Sequence, residues 1–267
     1  MKKLLSHIFT VSAGDVYATA TTAATLRTNC FSMSLFKNNP KIFLHLFENL
    51  CMEKYPNVSW PEAVKPLLKK YKNEKHPLAY KNTYQLIVMV VLSAQDSDRH
   101  INKIAPKLFE AFPNMAALSK TTAENLQAHV SDVRNSEKKS QWLLQIAKGI
   151  KDDKNIPYTL DELTSFPGIG RKSANVILRE SGKEPEGIMV DLHTLRVAPR
   201  LGIASGTDPK KIEKQMMDVL PKSEWDAGMA MSFLGREICR PTPKCEECLM
   251  KTVCKYYNEV IQVIESH

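Results

Sequence analysis

Four of the six cysteines, Cys239, Cys245, Cys248 and Cys254, fall within sixteen residues in the pattern Cys-x5-Cys-x2-Cys-x5-Cys. Thiolates this close in sequence can converge on one centre, and soft sulfur ligands select zinc or an iron–sulfur cluster. Zinc ribbons commonly carry two C-x2-C pairs, so one central pair flanked by longer loops leans toward a cluster. Cys30 and Cys51 are scattered; the clustering is that of a metal site in a reducing compartment, not of a disulfide framework. Arg240, Lys244, Lys251 and Lys255 interleave with the cysteines and offer a grip on phosphates.

A second pattern is Phe166-Pro167-Gly168-Ile169-Gly170-Arg171-Lys172, with a short helix ending at Pro167 and another starting at once. Gly168 and Gly170 can take backbone angles closed to other residues and present bare N–H groups at a helix N-terminus, where the peptide dipole favours a phosphate. Such a contact holds DNA by its backbone and reads no sequence. A Gly-containing interhelix turn explains the glycines equally well; Ile169 at the tip, flanked by Arg171 and Lys172, favours DNA. On residue chemistry alone, Lys172 reads as a phosphate ligand and Asp191 as the cap of a helix beginning near Leu192.

These groups need helices to place them. Leu86 to Leu92 is a continuous apolar run that reads as a fully buried helix. Ile101, Ile104, Ala105, Leu108, Phe109 and Phe112 form one stripe of a helix starting at Ser97 or Asp98. Trp142, Ile146 and Ile150 repeat that period. Thr159 and Glu162 make a capping-box pair, and Asp208-Pro209 opens another helix carrying Ile212, Met216 and Val219. The chain reads as all-α. Trp60, Trp142 and Trp225 read as core. Residues 1–32, rich in Thr and Ala with a single acid, read as a disordered leader or a mis-assigned start before Met33. No apolar run approaches the roughly 18 residues that span a bilayer, and no membrane partner is expected. The 267 residues carry 37 Lys and Arg against 29 Asp and Glu, a formal charge of +8, which points to a polyanionic partner.

Taken together, Leu92-Ser93-Ala94-Gln95 with Asp98, the hairpin from Phe166 to Asn175, Val190-Asp191-Leu192-His193 with Arg196-Val197, and the four cysteines resemble endonuclease III and its relatives among the helix-hairpin-helix DNA glycosylases. The match runs from about Pro77 to Tyr256. It implies two helical domains: a helical barrel over 77–184 with the hairpin at about 159–180, and a cluster domain made of 33–76 and 185–267. It implies that Lys172 is a nucleophile, that Asp191 assists it, and that Cys239, Cys245, Cys248 and Cys254 bind a 4Fe-4S cluster. It also implies that Gln95 fills the gap left by a flipped nucleotide, with Gly168, Ile169, Gly170 and Arg171 on the DNA backbone. The chain departs from the family in a first cysteine loop of five residues instead of six and in about one extra residue between Lys172 and Asp191. Asp96-Ser97 also stands near the expected pocket where the family's archetype has small or hydroxyl residues.

The implied chemistry is physically coherent. Breaking a glycosidic bond builds positive charge on the sugar, which a carboxylate stabilises, while an amine captures C1′ as a Schiff base. The amine must then be neutral, which calls for partial burial of Lys172 and nearby cations such as Arg171. The expectation is therefore a base-excision-repair glycosylase and abasic-site lyase that removes oxidised pyrimidines and nicks by β-elimination. Its partner would be duplex DNA bearing damaged bases or abasic sites, bound by a monomer. The location would be the cytoplasm of a bacterium, or the nucleus or an organelle of a eukaryote. The alternatives are a monofunctional glycosylase, such as an adenine-directed one, and a non-catalytic DNA-binding iron–sulfur module. No role is expected for His193.

Overall fold

The structure, a computed structural model, describes residues 58–261, with side chains to Glu259, and is helical with no strand among them. The leader expected over 1–32, Cys30, Cys51 and the first part of the 33–76 segment lie outside the described residues. Two short helices, α1 (Trp60–Ala63) and α2 (Lys65–Tyr71), each begin with a proline in the first turn, where its missing N–H costs nothing. An irregular stretch then leads to α3 (Thr83–Ser93), started by Asn82, whose side chain accepts the Gln85 amide at 2.9 Å. Every residue of α3 from Leu86 to Leu92 is buried, as a helix apolar on all faces must be. The reading of that run as a fully buried helix is borne out.

Side-chain caps set the next starts. Ser97 opens α4 (Asp98–Ala111), Asn114 opens α5 (Met115–Ser119) and Thr122 opens α6 (Ala123–His129). The expected stripe on α4 is present, with Ile101, Ala105 and Leu108 buried; Pro106 sits within the helix, which the periodicity did not reveal. Helix α7 (Ser136–Ile150) starts without a side-chain cap, from Asn135 in the left-handed region at φ 58°. It sends Lys139, 2% exposed, back to α3. The Lys139 Nζ donates to the Leu92 carbonyl at 2.7 Å, placing a cation on an orphan carbonyl at the end of α3.

The hairpin consists of α8 (Leu160–Ser165) and α9 (Arg171–Glu180). The Thr159 hydroxyl accepts the Glu162 amide at 3.3 Å and donates to the Glu162 carboxylate at 2.5 Å, so the capping pair is as expected. Helix α8 ends at Ser165, before the expected Pro167, because Phe166 is already extended, as the residue before a proline tends to be. The two glycines differ. Gly168 has φ +81°, and a Cβ there would lie 2.6 Å from the Trp142 ring. Gly170 caps α9 with an ordinary φ of −88° and nothing within 4 Å of its Cβ position. The special backbone angle expected of both glycines is needed only at Gly168.

After the hairpin come α10 (Leu192–Leu201), α11 (Pro209–Val219) and α12 (Ala227–Glu237). Asp208 caps α11 and Pro209 occupies its first turn, as expected. The cysteine segment follows as short turns, Cys245–Glu247 and Lys251–Val253. The buried apolar side chains form one cluster running from Val64 to Tyr257. Trp60, Trp142 and Trp225 are partly buried at its margin, so they pack on the core without lying inside it. Among the described residues no helix is long and apolar enough to cross a membrane.

Candidate active site and cysteine centre

Glycines let α12 come close to α10 and to the segment that leads into it. A Cβ on Gly228 would lie 2.4 Å from the Met189 carbonyl oxygen, and one on Gly235 would lie 2.8 Å from the Cβ of His193. The Thr194 hydroxyl donates to the Gly228 carbonyl at 2.8 Å across the same contact. This packing brings Ser232 and Arg236, one turn apart on α12, against Asp191 at the start of α10.

The Asp191 carboxylate divides its two oxygens between separate tasks. Oδ1 accepts the His193 and Thr194 amides at 2.9 and 2.8 Å, so it is the N-cap of α10. Oδ2 accepts the hydroxyl of Ser232 at 2.6 Å and lies 3.8 Å from Nη2 of Arg236. Burial alone would raise the Asp191 pKa. The Ser232 hydroxyl, the Thr194 amide and the charges of His193 and Lys172 outweigh it and hold the carboxyl below the usual range. Arg236 also pairs with Asp98 at 3.2 Å, while its buried Nε has no protein hydrogen-bond partner among the described residues.

Lys172, Asp191, Ser232, Arg236, Asp98 and His76 line one cavity open to solvent, walled by apolar side chains that include Val90, Val176, Met189 and Met229. The structure thus brings together the two chemical residues singled out from sequence. Lys172 stands in the first turn of α9 and is exposed, not partly buried as expected. Nor is Arg171 the neighbouring cation that was expected. Its Nε donates to both oxygens of Glu213 at 2.9 Å and its Nη2 to the Glu186 carbonyl at 2.9 Å. Arg171 therefore fastens α9 to α11. Burial is the larger influence on Glu213 and raises its pKa, with Arg171 opposing.

One further hairpin expectation needs correction. Ile169 is only 3% exposed and packs into the core, so it is not an exposed tip residue. Its amide donates to the Phe166 carbonyl at 3.3 Å, closing the turn. Gln95 is exposed at the end of α3 with φ 60°, and its Oε1 lies 3.5 Å from the donor Nδ2 of Asn135. Asp96, beside it, accepts the Arg134 amide at 3.1 Å through Oδ2, and its Oδ1 lies 2.9 Å from Nδ1 of His100. His193 is bound to its own helix, with Nδ1 3.3 Å from Nη2 of Arg196.

Sequence reasoning missed Ser232, Arg236 and His76. Ser232 and Arg236 share a helix face by their spacing of four, but the surrounding small and apolar residues of α12 read as a buried helix. For His76, only its place beside Pro77, where the resemblance begins, hinted at a role.

Cys239, Cys245, Cys248 and Cys254 surround a second cavity of about 350 Å³ of empty space, closed in part by Leu234, Tyr256 and Tyr257. Arg200 holds the loop by donating to the carbonyls of Arg240 and Pro241 at 2.7 and 3.0 Å, and its Nη1 lies 3.6 Å from the Cys239 sulfur. Among the described residues no three His, Cys, Asp or Glu side chains converge tightly enough to hold a single ion. Four thiols facing one cavity are a donor set that fits zinc or an iron–sulfur cluster. Burial raises the pKa of Cys248 and pushes the Cys254 thiol up to about 11; a cationic centre bound among them would favour the thiolates.

Comparison with known proteins places these observations. Residues 88–222 match the HhH-GPD superfamily of base excision DNA repair proteins. An endonuclease III of Synechocystis sp. is 31% identical over 192 residues, covering 70% of this chain and 88% of that protein. Endonuclease III of Bacillus subtilis is 32% identical over 183 residues, 67% of this chain and 83% of the relative. Among solved structures, a trapped endonuclease III–DNA covalent intermediate superposes with a TM-score of 0.68 at 29% identity, over 75% of this chain and 96% of that one. A thermostable thymine-DNA glycosylase, 20% identical with a TM-score of 0.63 over 73% of this chain and 95% of its own, bears on the fold alone.

The Asp191 geometry yields a first expected outcome. The Ser232 hydroxyl stabilises the ionised carboxylate, so Ser232→Ala removes a pKa-lowering contact and Asp191 then titrates at higher pH. Carbon NMR of labelled aspartate in wild-type and variant protein should show that upward movement of the midpoint. A midpoint unmoved in a folded variant would mean that the hydroxyl does not hold Oδ2.

Proposed function

Because the chain belongs to the HhH-GPD superfamily of base excision DNA repair proteins, we propose that it is a DNA glycosylase and abasic-site lyase that removes oxidised pyrimidines from duplex DNA. The observation that carries this reading is the presence of Lys172 and Asp191 on the wall of one cavity. The Lys172 amine attacks C1′ as the glycosidic bond breaks, and the bonding electrons leave with the base. Positive charge building on the sugar faces the Asp191 carboxylate, which is ionised and fixed by four contacts. The nitrogen gives up one proton and O4′ takes one up as the C1′–O4′ bond opens, leaving a protonated imine between Lys172 and C1′. Removal of a C2′ proton then expels the 3′ phosphate, and water releases the lysine.

The rest of the chain supports these steps. The hairpin between Phe166 and Arg171 offers the Gly168 and Gly170 backbone to a phosphate at the N-terminus of α9. Gln95, on an exposed loop, occupies the space of the extruded nucleotide. Neither Arg171, spent on Glu213, nor Ile169, spent on the core, is assigned a side-chain contact with DNA. Cys239, Cys245, Cys248 and Cys254 hold a 4Fe-4S cluster, which supplies a rigid cross-link for loops that are otherwise turns. The helices of 77–184 form the barrel part of this reading, and the flanking segments form the cluster part.

Two measurements bear on this function. Borohydride should trap a protein–DNA adduct on duplex containing an abasic site or an oxidised pyrimidine, and Lys172→Gln should abolish trapping while binding stays near wild type. Trapping at the wild-type rate by that variant would assign the nucleophile elsewhere. Purified protein should be yellow-brown and contain iron and acid-labile sulfide, and Cys245→Ala should destabilise the carboxy-terminal segment. Colourless protein with stoichiometric zinc would overturn the cluster assignment.

A further inference from the structure

The polar groups lining the Lys172 cavity are nearly all committed. The Ser93 hydroxyl donates to the Val90 carbonyl at 3.1 Å, and Ser232 donates to Asp191. Arg236 faces Asp98 and Asp191. The two aspartates are acceptors, and Lys172 is assigned to the sugar. That leaves His76.

Its Nδ1 accepts the Leu78 amide at 3.2 Å, so the ring proton sits on Nε2, which has no protein partner among the described residues. Burial favours the neutral ring; Glu180 and Asp98 oppose this, and Lys172 and Arg236 add to it. The segment that carries His76 is strapped to α4 by both ends of the Asn102 side chain. Nδ2 donates to the Pro77 carbonyl and Oδ1 accepts the Ala79 amide, each at 2.8 Å. The imidazole also packs at a tilt on Tyr80, with ring centroids 6.4 Å apart. The result is a neutral donor held rigidly on the wall of a cavity whose other polar groups are charged or already paired.

We propose that His76 recognises the extruded base by donating its Nε2–H to a carbonyl oxygen of the pyrimidine. This inference rests on the glycosylase reading above. The bond strengthens during the reaction, because the electrons of the broken glycosidic bond collect on the carbonyl oxygens of the departing base. His76 then acts on the base-removal step alone. Cleavage at a site that has already lost its base does not use it.

The test compares two duplexes, one with an oxidised pyrimidine and one with a preformed abasic site, under single-turnover conditions. His76→Phe keeps a ring against Tyr80 and removes the donor. It should slow excision by about tenfold or more, the scale of one hydrogen bond, and leave abasic-site cleavage and borohydride trapping at wild-type rates. His76→Gln, which restores a donor, should recover part of the loss. Equal losses on both duplexes would make His76 a support for the fold, and no loss on either would remove it from the reaction. Wild-type protein inert on both would overturn the glycosylase reading itself, a result distinct from either of these.

Discussion

The Asp191 carboxylate is the constraint on which the site depends. One oxygen is consumed in starting a helix and the other faces a hydroxyl and a guanidinium. Taking a carboxylate out of water is costly unless each lone pair finds a donor. Here the cap and the Ser232 hydroxyl provide those donors, so the group stays charged although largely enclosed. A charge held that rigidly needs no rearrangement when positive charge develops beside it. The cap is also why the group cannot wander, since moving it would leave two amides of the first turn of α10 unsatisfied. Stability and chemistry are served by the same atoms.

Other features of the fold set the surroundings of that carboxylate. Gly228 and Gly235 let α12 approach, and Ser232 and Arg236 follow. On the other wall, Lys172 is placed by α9, and α9 is fixed on two sides. Arg171 grips Glu213 on α11, and Asn175 accepts the Glu186 amide at 2.9 Å. The Glu186 carboxylate in turn accepts the Leu160 amide at 2.9 Å, tying the connecting loop to the first helix of the hairpin. The basic residue nearest the turn is thus structural, and the hairpin presents backbone to its surroundings.

How much of this was legible follows from how local each signal is. Caps are local: Thr159 with Glu162, Asp208 before Pro209 and Ser97 before α4 all behave as their sequence suggests. The all-apolar run of α3 declared its own burial. Asp191 was legible twice, as a cap from its position and as a charge from the resemblance, and the structure makes both roles one. What could not be read depends on distant partners. Arg171 looks free until Glu213, forty-two residues away, is placed beside it. Ile169 looks exposed in a turn until the core closes over it. Ser232 is an unremarkable serine in an apolar helix until α10 arrives.

The central claim is that Asp191 contributes its charge to the reaction as well as its oxygen to the helix. Asp191→Asn separates the two, since asparagine caps a helix about as well as aspartate but carries no charge. Thermal unfolding and single-turnover base removal should be measured on the same preparation. The account predicts a midpoint close to wild type and base removal slowed by roughly a hundredfold. A stably folded Asn variant that removes the base at the wild-type rate would contradict it.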